Sequence, residues 1–259
     1  MTNSPADVYG LIGFPLEHSF SRKFFNEYFS GHHINASYHN FEIDDIGALM
    51  EVLAEQPDLR GLNVTSPYKR LVMPYLDSVS DEAREIGAVN VIKISGMPAE
   101  PVLEGYNTDA RGFAADIKPL LHKNGIKEGS KALVLGTGGA SSAVCYGLRS
   151  LGIKPTLVSR RPTDGVITYD TLTPEIMAGY RVIVNSTTLG MEPHTGECPA
   201  IPYDLIDKRY VCYDLIYNPS PTEFLKRCAA AGAIVSGGLG MLIAQARLSW
   251  LIWTGQQMK

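Results

Sequence analysis

The sequence predicts an α/β protein of two domains, and three observations carry that reading. Its 259 residues exceed one typical domain and fall short of three. Short β-branched runs alternate with helix-length segments in two successive series, which implies mostly parallel strands joined by right-handed crossovers. The second series opens on a glycine-rich turn between an apolar strand and a helix, as in a doubly wound Rossmann-type domain.

In the first series, Val8 to Ile12, Ser37 to Phe41, Gly61 to Val64 and Ala88 to Ile94 read as strands. Helices are expected at Ser21 to Phe29, at Ile46 to Leu53 and after Ser80, with Ser80 as N-cap and Gly87 as stop. A helix-length segment from Ala110 to His122 leads to strands at Lys131 to Leu135, Thr156 to Ser159, Val182 to Asn185 and Val211 to Leu215. A further helix is read at Ala143 to Leu151. The stretch from Arg161 to Tyr180 is too poorly periodic to place. From Leu239 onward the chain is apolar nearly all round, so that segment must be covered on several sides, and a return to the first domain would cover it.

Composition narrows the function classes. Apolar residues make up 45% and charged residues 19%, which supplies packed cores and speaks against disorder. A net charge of −4 with no basic run argues against a nucleic-acid or anionic-membrane partner. The polar stretch Met1 to Asp7 carries no secretory signal, so the protein is expected to stay in the cytoplasm. The apolar run from Met241 to Trp253 is broken by Gln245, Arg247 and Ser249 and is too short to span a bilayer. Cys145, Cys198, Cys212 and Cys228 show neither metal-ligand spacing nor disulfide density, and are assigned to packing in a reducing compartment.

The turn Gly136-Thr137-Gly138-Gly139-Ala140-Ser141 has the context that a dinucleotide fingerprint requires. Glycines allow close approach to a pyrophosphate, and the following helix offers free N–H groups and its positive end. Ser141 stands where the third glycine of that pattern usually lies. A tight turn without a ligand is the bland alternative. The next strand ends in Ser159-Arg160-Arg161, with no carboxylate to hold the ribose hydroxyls of NAD, and arginine there suits the 2′-phosphate of NADP. The alternative is a solvated surface pair.

In Gly61 to Lys69 a buried-type strand acquires a polar exit before Pro67. Strand carboxyl ends face the ligand crevice in α/β sheets, so Asn63, Thr65 and Lys69 are candidate polar ligands, although an isolated lysine is most often a surface residue. Asp109 is either a carboxylate at a domain junction or an ordinary first-turn helix acid. Ser19 and Ser21, in His18-Ser19-Phe20-Ser21, either meet a ligand or cap a helix. His18 alone is no metal site, and His32 and His33 lack partners at ligand spacing.

Taken together these segments resemble the shikimate dehydrogenase family. Gly13 to Ser21 is similar to its substrate loop, Asn63 to Lys69 to its lysine segment, Ile86 to Asn90 and Gly105 to Asp109 to two further substrate segments, and Gly136 to Ala140 to its cofactor turn. Asn185-Ser186-Thr187, Asp214 to Pro219 with Thr222, and Gly240-Met241-Leu242 with Gln245 follow in family order. Arg22 stands where the family usually has proline, and Phe25 where it often has histidine. Ser159 and Arg161 replace the common asparagine and threonine around Arg160.

The resemblance implies an NADP-dependent oxidoreductase that reduces 3-dehydroshikimate to shikimate, with the reaction in a cleft between two domains. Residues 1–109, completed by 238–259, would bind substrate, and 110–237 would bind NADP(H). Lys69 would be the acid and Asp109 its orienting carboxylate. Ser19 and Ser21 would hold the substrate carboxylate, with Asn63, Thr65, Asn90, Tyr217 and Gln245 around the ring. The cofactor would meet Gly136, Thr137, Gly138, Gly139, Ala140, Ser159, Arg160, Arg161, Thr187, Leu215 and Gly238. A monomer or homodimer is expected. The rival readings are a quinate-using or dual-specificity relative with NAD, and a catalytically silent nucleotide-binding relative.

Overall fold

The computed structural model describes residues 6–16 and 19–258. Two compact units emerge, Met1–Thr108 with Ala246–Lys259, and Asp109–Gln245. Each is built on one six-stranded sheet.

The first unit contains β1 (Asp7–Gly13), α1 (Phe20–Gly31), β2 (Ala36–Glu42), α2 (Leu49–Glu55), β3 (Leu59–Val64), β4 (Ser78–Val79), α3 (Asp81–Ile86), β5 (Val91–Met97) and β6 (Glu100–Tyr106). Its strand order is β2-β1-β3-β5-β6-β4. β1 lies parallel to both β2 and β3, which follows from the helical crossovers between them. Parallel pairing is interrupted at β5, which runs antiparallel to β3 and to β6, and resumes between β6 and β4. Only Pro98 and Ala99 separate β5 from β6, and a link that short can close only an antiparallel hairpin. The caps read from the sequence are present at α3, where the Ser80 side chain accepts from the Ala83 amide and Gly87 takes φ 71° to end the helix.

Both faces of this sheet are covered. Ile12, Leu49, Leu62, Val89 and Ile92 pack on one side. The other side is aromatic, with Tyr9, Phe25, Phe29, Tyr38, Trp250 and Trp253. Phe25, where the family often has histidine, is fully buried and stacks on Tyr38 with ring centroids 4.7 Å apart and planes 5° from parallel. Arg22, in place of proline, sits exposed in the first turn of α1.

The second unit contains α4 (Asp109–Lys123), β7 (Lys131–Leu135), α5 (Gly139–Ser150), β8 (Lys154–Ser159), β9 (Val166–Thr168), α6 (Pro174–Ala178), β10 (Val182–Asn185), β11 (Val211–Asp214), α7 (Glu223–Ala230) and β12 (Ile234–Ser236). Every strand pair is parallel, in the order β12-β11-β10-β7-β8-β9. The chain moves outward from β7 through β8 to β9, then returns to the other side of β7 for β10 to β12. The order reverses at β7, so the glycine turn that follows it lies at the switch point where doubly wound sheets bind ligands. The unplaced stretch from Arg161 to Tyr180 holds a three-residue strand, a 3₁₀ turn and a five-residue helix, all too short to show a period.

The last helix, α8 (Leu239–Thr254), serves both units. Its residues up to Gln245 belong to the second, where Met241 joins the core and Gly240 lies so close to the Asp116 carboxylate that a Cβ would overlap it. The return to the first unit therefore begins at Ala246, against an expected 238. There Trp253 donates its indole N–H to the Ile92 carbonyl at 3.0 Å. Among the described residues no helix is long and apolar enough to cross a membrane. A Cβ on Gly61 would overlap the Trp253 ring. Gly61→Ala is therefore expected to cost about 1–3 kcal/mol of stability through overpacking, read as a lower urea midpoint at unchanged slope; an unchanged midpoint would show that α8 docks elsewhere.

Candidate functional site

In the first unit the polar groups gather at the carboxyl end of β3 and the turns beside it. The Asn63 side chain is 4% exposed, and its carboxamide is spent inside the fold. Oδ1 accepts from the Tyr38 hydroxyl at 2.8 Å, while Nδ2 donates to Ser249 Oγ at 2.9 Å and to the Asn90 carbonyl at 3.4 Å. Asn90 faces the other way, donating to Thr108 Oγ1 at 2.9 Å and accepting from the Thr108 amide at 2.7 Å. Asn107, next in line, donates to the Ala88 carbonyl. Together these bonds fix the ends of β3, β5 and β6 as one piece. Burial pushes the Tyr38 phenol far above its ordinary pKa, although the Ser21 hydroxyl bonded to it opposes the shift.

Lys69 is half-buried in the turn after β3. That turn is held by its backbone, since the Lys69 carbonyl accepts from the Val89 amide at 2.7 Å and the Thr65 amide donates to Ile12 at 2.9 Å. The Tyr68 hydroxyl, buried, donates to the Ile43 carbonyl at 2.6 Å. Thr65 and Lys69 therefore leave a turn that follows Asn63 directly and is tied by its backbone to the segment of Val89 and Asn90. Ser19 occupies the N-cap position of α1 but makes no cap bond, and its hydroxyl is buried without a partner among the described residues. That disposes of helix capping as its purpose. His18 lies outside the described residues. A cavity of about 690 Å³ along α1 takes in Ser19, Arg22, Asn26 and Asn40 but none of Asn63, Thr65, Lys69 or Asn90.

In the second unit Asp109 is the first residue of α4 and is 5% exposed, Gln245 is buried in α8, and Tyr217 is half-buried after β11. Gly136 takes φ 113° directly after β7, a conformation open to glycine alone at little cost. Ser141, the substitute for the third glycine, turns its hydroxyl back onto the Gly138 amide at 3.1 Å and meets Ser186 Oγ at 2.8 Å. Ser186 in turn donates to the Leu135 carbonyl at 2.7 Å. Gly138 N–H is thus used internally. The amides of Gly139, Ala140 and Ser141 are the orphan donors of the first helical turn and have no partner among the described residues.

Thr137, Ser159, Arg160 and Arg161 line one cavity of about 550 Å³, with both arginines exposed to it. Three orphan amides, a helix N-terminus and two guanidinium groups form a donor set with no acceptor of formal negative charge, which fits a dinucleotide carrying an additional phosphate. Thr187 is fixed by Asn185, whose Oδ1 accepts from its amide at 3.1 Å and its hydroxyl at 2.7 Å. Leu215 and Gly238 touch so closely that a Cβ at Gly238 would overlap the Leu215 carbonyl. Among the described residues no group of three His, Cys, Asp or Glu could hold a metal.

The comparisons with known proteins agree with this geometry. A family model for the shikimate dehydrogenase substrate binding domain matches residues 11–92. The shikimate dehydrogenase (NADP(+)) of Carboxydothermus hydrogenoformans is 36% identical, over 98% of this chain and 93% of that relative. The chain belongs to the shikimate dehydrogenase family. Among solved structures, shikimate dehydrogenase from Aquifex aeolicus superposes with a TM-score of 0.85 at 35% identity, covering 100% of this chain and 96% of that one. Shikimate 5-dehydrogenase from Thermus thermophilus, solved with NADP(H) and shikimate, gives 0.83 at 32% identity, covering 98% and 95%. The part matched by the substrate-domain model of the shikimate dehydrogenases lies wholly within the first unit.

Several groups are now visible as organisers: Tyr38 and Ser249, to which the sequence reading gave no site role, and Asn107, Thr108 and Ser186, which lay within the matched segments without a role of their own. One signal could have found some of their kind. Asn185 and Asp214 each close a four-residue apolar strand with a buried polar side chain, in the same register.

Proposed function

We infer that this chain is an NADP-dependent oxidoreductase that catalyses the reversible reduction of 3-dehydroshikimate to shikimate. The observation that carries the reading, beyond family membership, is the arginine corner after β8: a cavity lined by Arg160 and Arg161, with Thr137 and Ser159 as its other lining residues. Bound there, the dinucleotide would supply the hydride. The orphan amides of Gly139, Ala140 and Ser141 bind its pyrophosphate, the conformation of Gly136 lets backbone approach it, and Arg160 with Arg161 binds the 2′-phosphate. Thr187, Leu215 and Gly238 complete the cofactor side.

Lys69 is the proton donor to the carbonyl oxygen, and a positioned acid contributes about 10²–10⁴-fold to such a step. Asp109 is the second catalytic group, a carboxylate able to accept the hydrogen bond of the reacting hydroxyl. Ser19, whose hydroxyl has no partner among the described residues, and Ser21 hold the substrate carboxylate. Thr65, Asn90, Tyr217 and Gln245 serve the ring. Asn63 acts at one remove, because both N–H donors of its amide and one acceptor site of its oxygen are taken by Ser249, Asn90 and Tyr38. A cytoplasmic enzyme working as a monomer or homodimer fits four free cysteines with a packing role.

Lys69→Ala is expected to lower kcat by about 10²-fold or more, with shikimate still bound, because an acid acting in the transition state affects kcat more than ground-state affinity. Near-normal kcat across neutral pH would remove Lys69 from the chemistry. The cofactor reading has its own test. A hydrogen bond to a charged group contributes roughly 1.5–3 kcal/mol, so Arg160→Ala is expected to cut the preference for NADP⁺ over NAD⁺ by roughly 10- to 100-fold, with Arg161 softening the loss. The ratio of kcat/KM with each cofactor at saturating shikimate, for both single variants and the double, measures it. An unchanged ratio in the double variant would overturn the phosphate corner, and a wild type that prefers NAD⁺ and quinate would favour the quinate-type reading.

A further inference from the structure

Asp214 closes β11 with a carboxylate that no solvent reaches and that pairs with no cation among the described residues. Three donors converge on it. Oδ1 accepts from Asn185 Nδ2 at 3.1 Å and from the Ile216 amide at 3.0 Å, and Oδ2 accepts from the Thr222 hydroxyl at 2.6 Å. Burial raises its pKa, while the three hydrogen bonds work against that rise. A buried charge held this way is costly to place, and removing one partner leaves it less compensated.

What the carboxylate controls lies on either side of it. An ionised carboxylate can only accept, so it dictates which end of the Asn185 carboxamide faces it. The NH₂ end points to Asp214, which leaves Oδ1 to receive the amide and hydroxyl of Thr187, and the Thr187 hydroxyl then accepts from the Leu189 amide at 3.2 Å. On its own strand, the bond to the Ile216 amide shapes the turn through Leu215. Leu215 is tied to Asn185 by its amide, and Ile216 accepts from the Gly238 amide at 3.3 Å. Thr222 secures the far end, because its hydroxyl also caps α7 at the Leu225 amide.

We propose that Asp214 is a positioning residue for the cofactor, acting through Asn185 on Thr187 and through the Ile216 amide on Leu215 and Gly238. This rests on the assignment of Thr187, Leu215 and Gly238 to the cofactor side. The substrate groups Ser19, Thr65 and Lys69 belong to the other unit and share none of these bonds, and Tyr217, which follows Ile216, is the one proposed substrate group next to them, so the effect falls mainly on the cofactor.

The test is the Kd of NADP⁺ and of shikimate, measured separately by calorimetry on the full-length wild type, Asp214→Asn, Thr222→Val and Thr222→Ser, with thermal unfolding alongside. An amide offers one acceptor oxygen to three donors, so Asp214→Asn is expected to weaken NADP⁺ about tenfold or more while shikimate affinity stays within about twofold. Thr222→Val is expected to shift in the same direction, and Thr222→Ser, which keeps the hydroxyl, to restore most of the affinity. If Asp214→Asn fails to fold, the Thr222 pair decides by the same criterion. Folded variants that bind NADP⁺ as the wild type does, or that lose both ligands equally, overturn the positioning role and leave the functional reading intact. A wild type that binds no NADP⁺ overturns the functional reading itself.

Discussion

Where a parallel strand ends, its last backbone groups and the first polar side chains beyond it are still shielded from water, and each must find a partner within the protein or cost stability. Much of the architecture around the site answers that requirement. In the first unit, Asn63 and Asn90 absorb the demand of β3, β5 and β6, using Tyr38, Ser249 and Thr108 as partners. In the second, Ser141, Ser186, Asn185 and Asp214 do so for β7, β10 and β11. The turns that carry the proposed ligand contacts are thereby fixed from below by buried polar groups that bond chiefly to one another.

A site built on this principle keeps its donors in place before the ligand arrives. At α5 the Gly138 amide is consumed by Ser141, which anchors the turn, and the next three amides are left unsatisfied and aligned. Preorganised donors of this kind need little reorganisation on binding. The arginines beyond β8 are different: they are exposed, and the discrimination proposed for them acts by charge rather than by a rigid frame. In the proposed reading, cofactor binding and cofactor choice thus rest on separate physical devices, one of backbone and one of side chain.

Much of this was legible in the sequence because the signals were local. Lys131 to Leu135 and Val182 to Asn185 stand as strands with the expected bounds, since each is a continuous apolar run closed by a turn or polar residue. Ser80 and Gly87 delimit a helix through their own chemistry. The antiparallel hairpin escaped because Glu100 to Tyr106 carries Pro101 and two glutamates and shows no clean alternation. Asn63 looked like a ligand residue because position on a strand end was visible and partnership was not: Tyr38 is 25 residues away and Ser249 is 186. Resemblance supplied the proposed roles of Ser19, Ser21, Tyr217 and Gln245, which no local pattern distinguishes from ordinary loop and helix residues.

The central claim is that the nucleotide is held by the strand-end turns of the second sheet and the substrate chiefly by those of the first, each set in advance. Hydrogen–deuterium exchange of the full-length protein, alone and with saturating NADP⁺ or shikimate added singly, tests it most directly. NADP⁺ is expected to slow exchange at 137–142, 159–161, 186–189 and 215–217 while leaving 64–69 and 88–90 unchanged, and shikimate is expected to slow exchange at 64–69. Protection by NADP⁺ outside the second sheet's turns, or no protection at the amides of Gly139, Ala140 and Ser141, would contradict it.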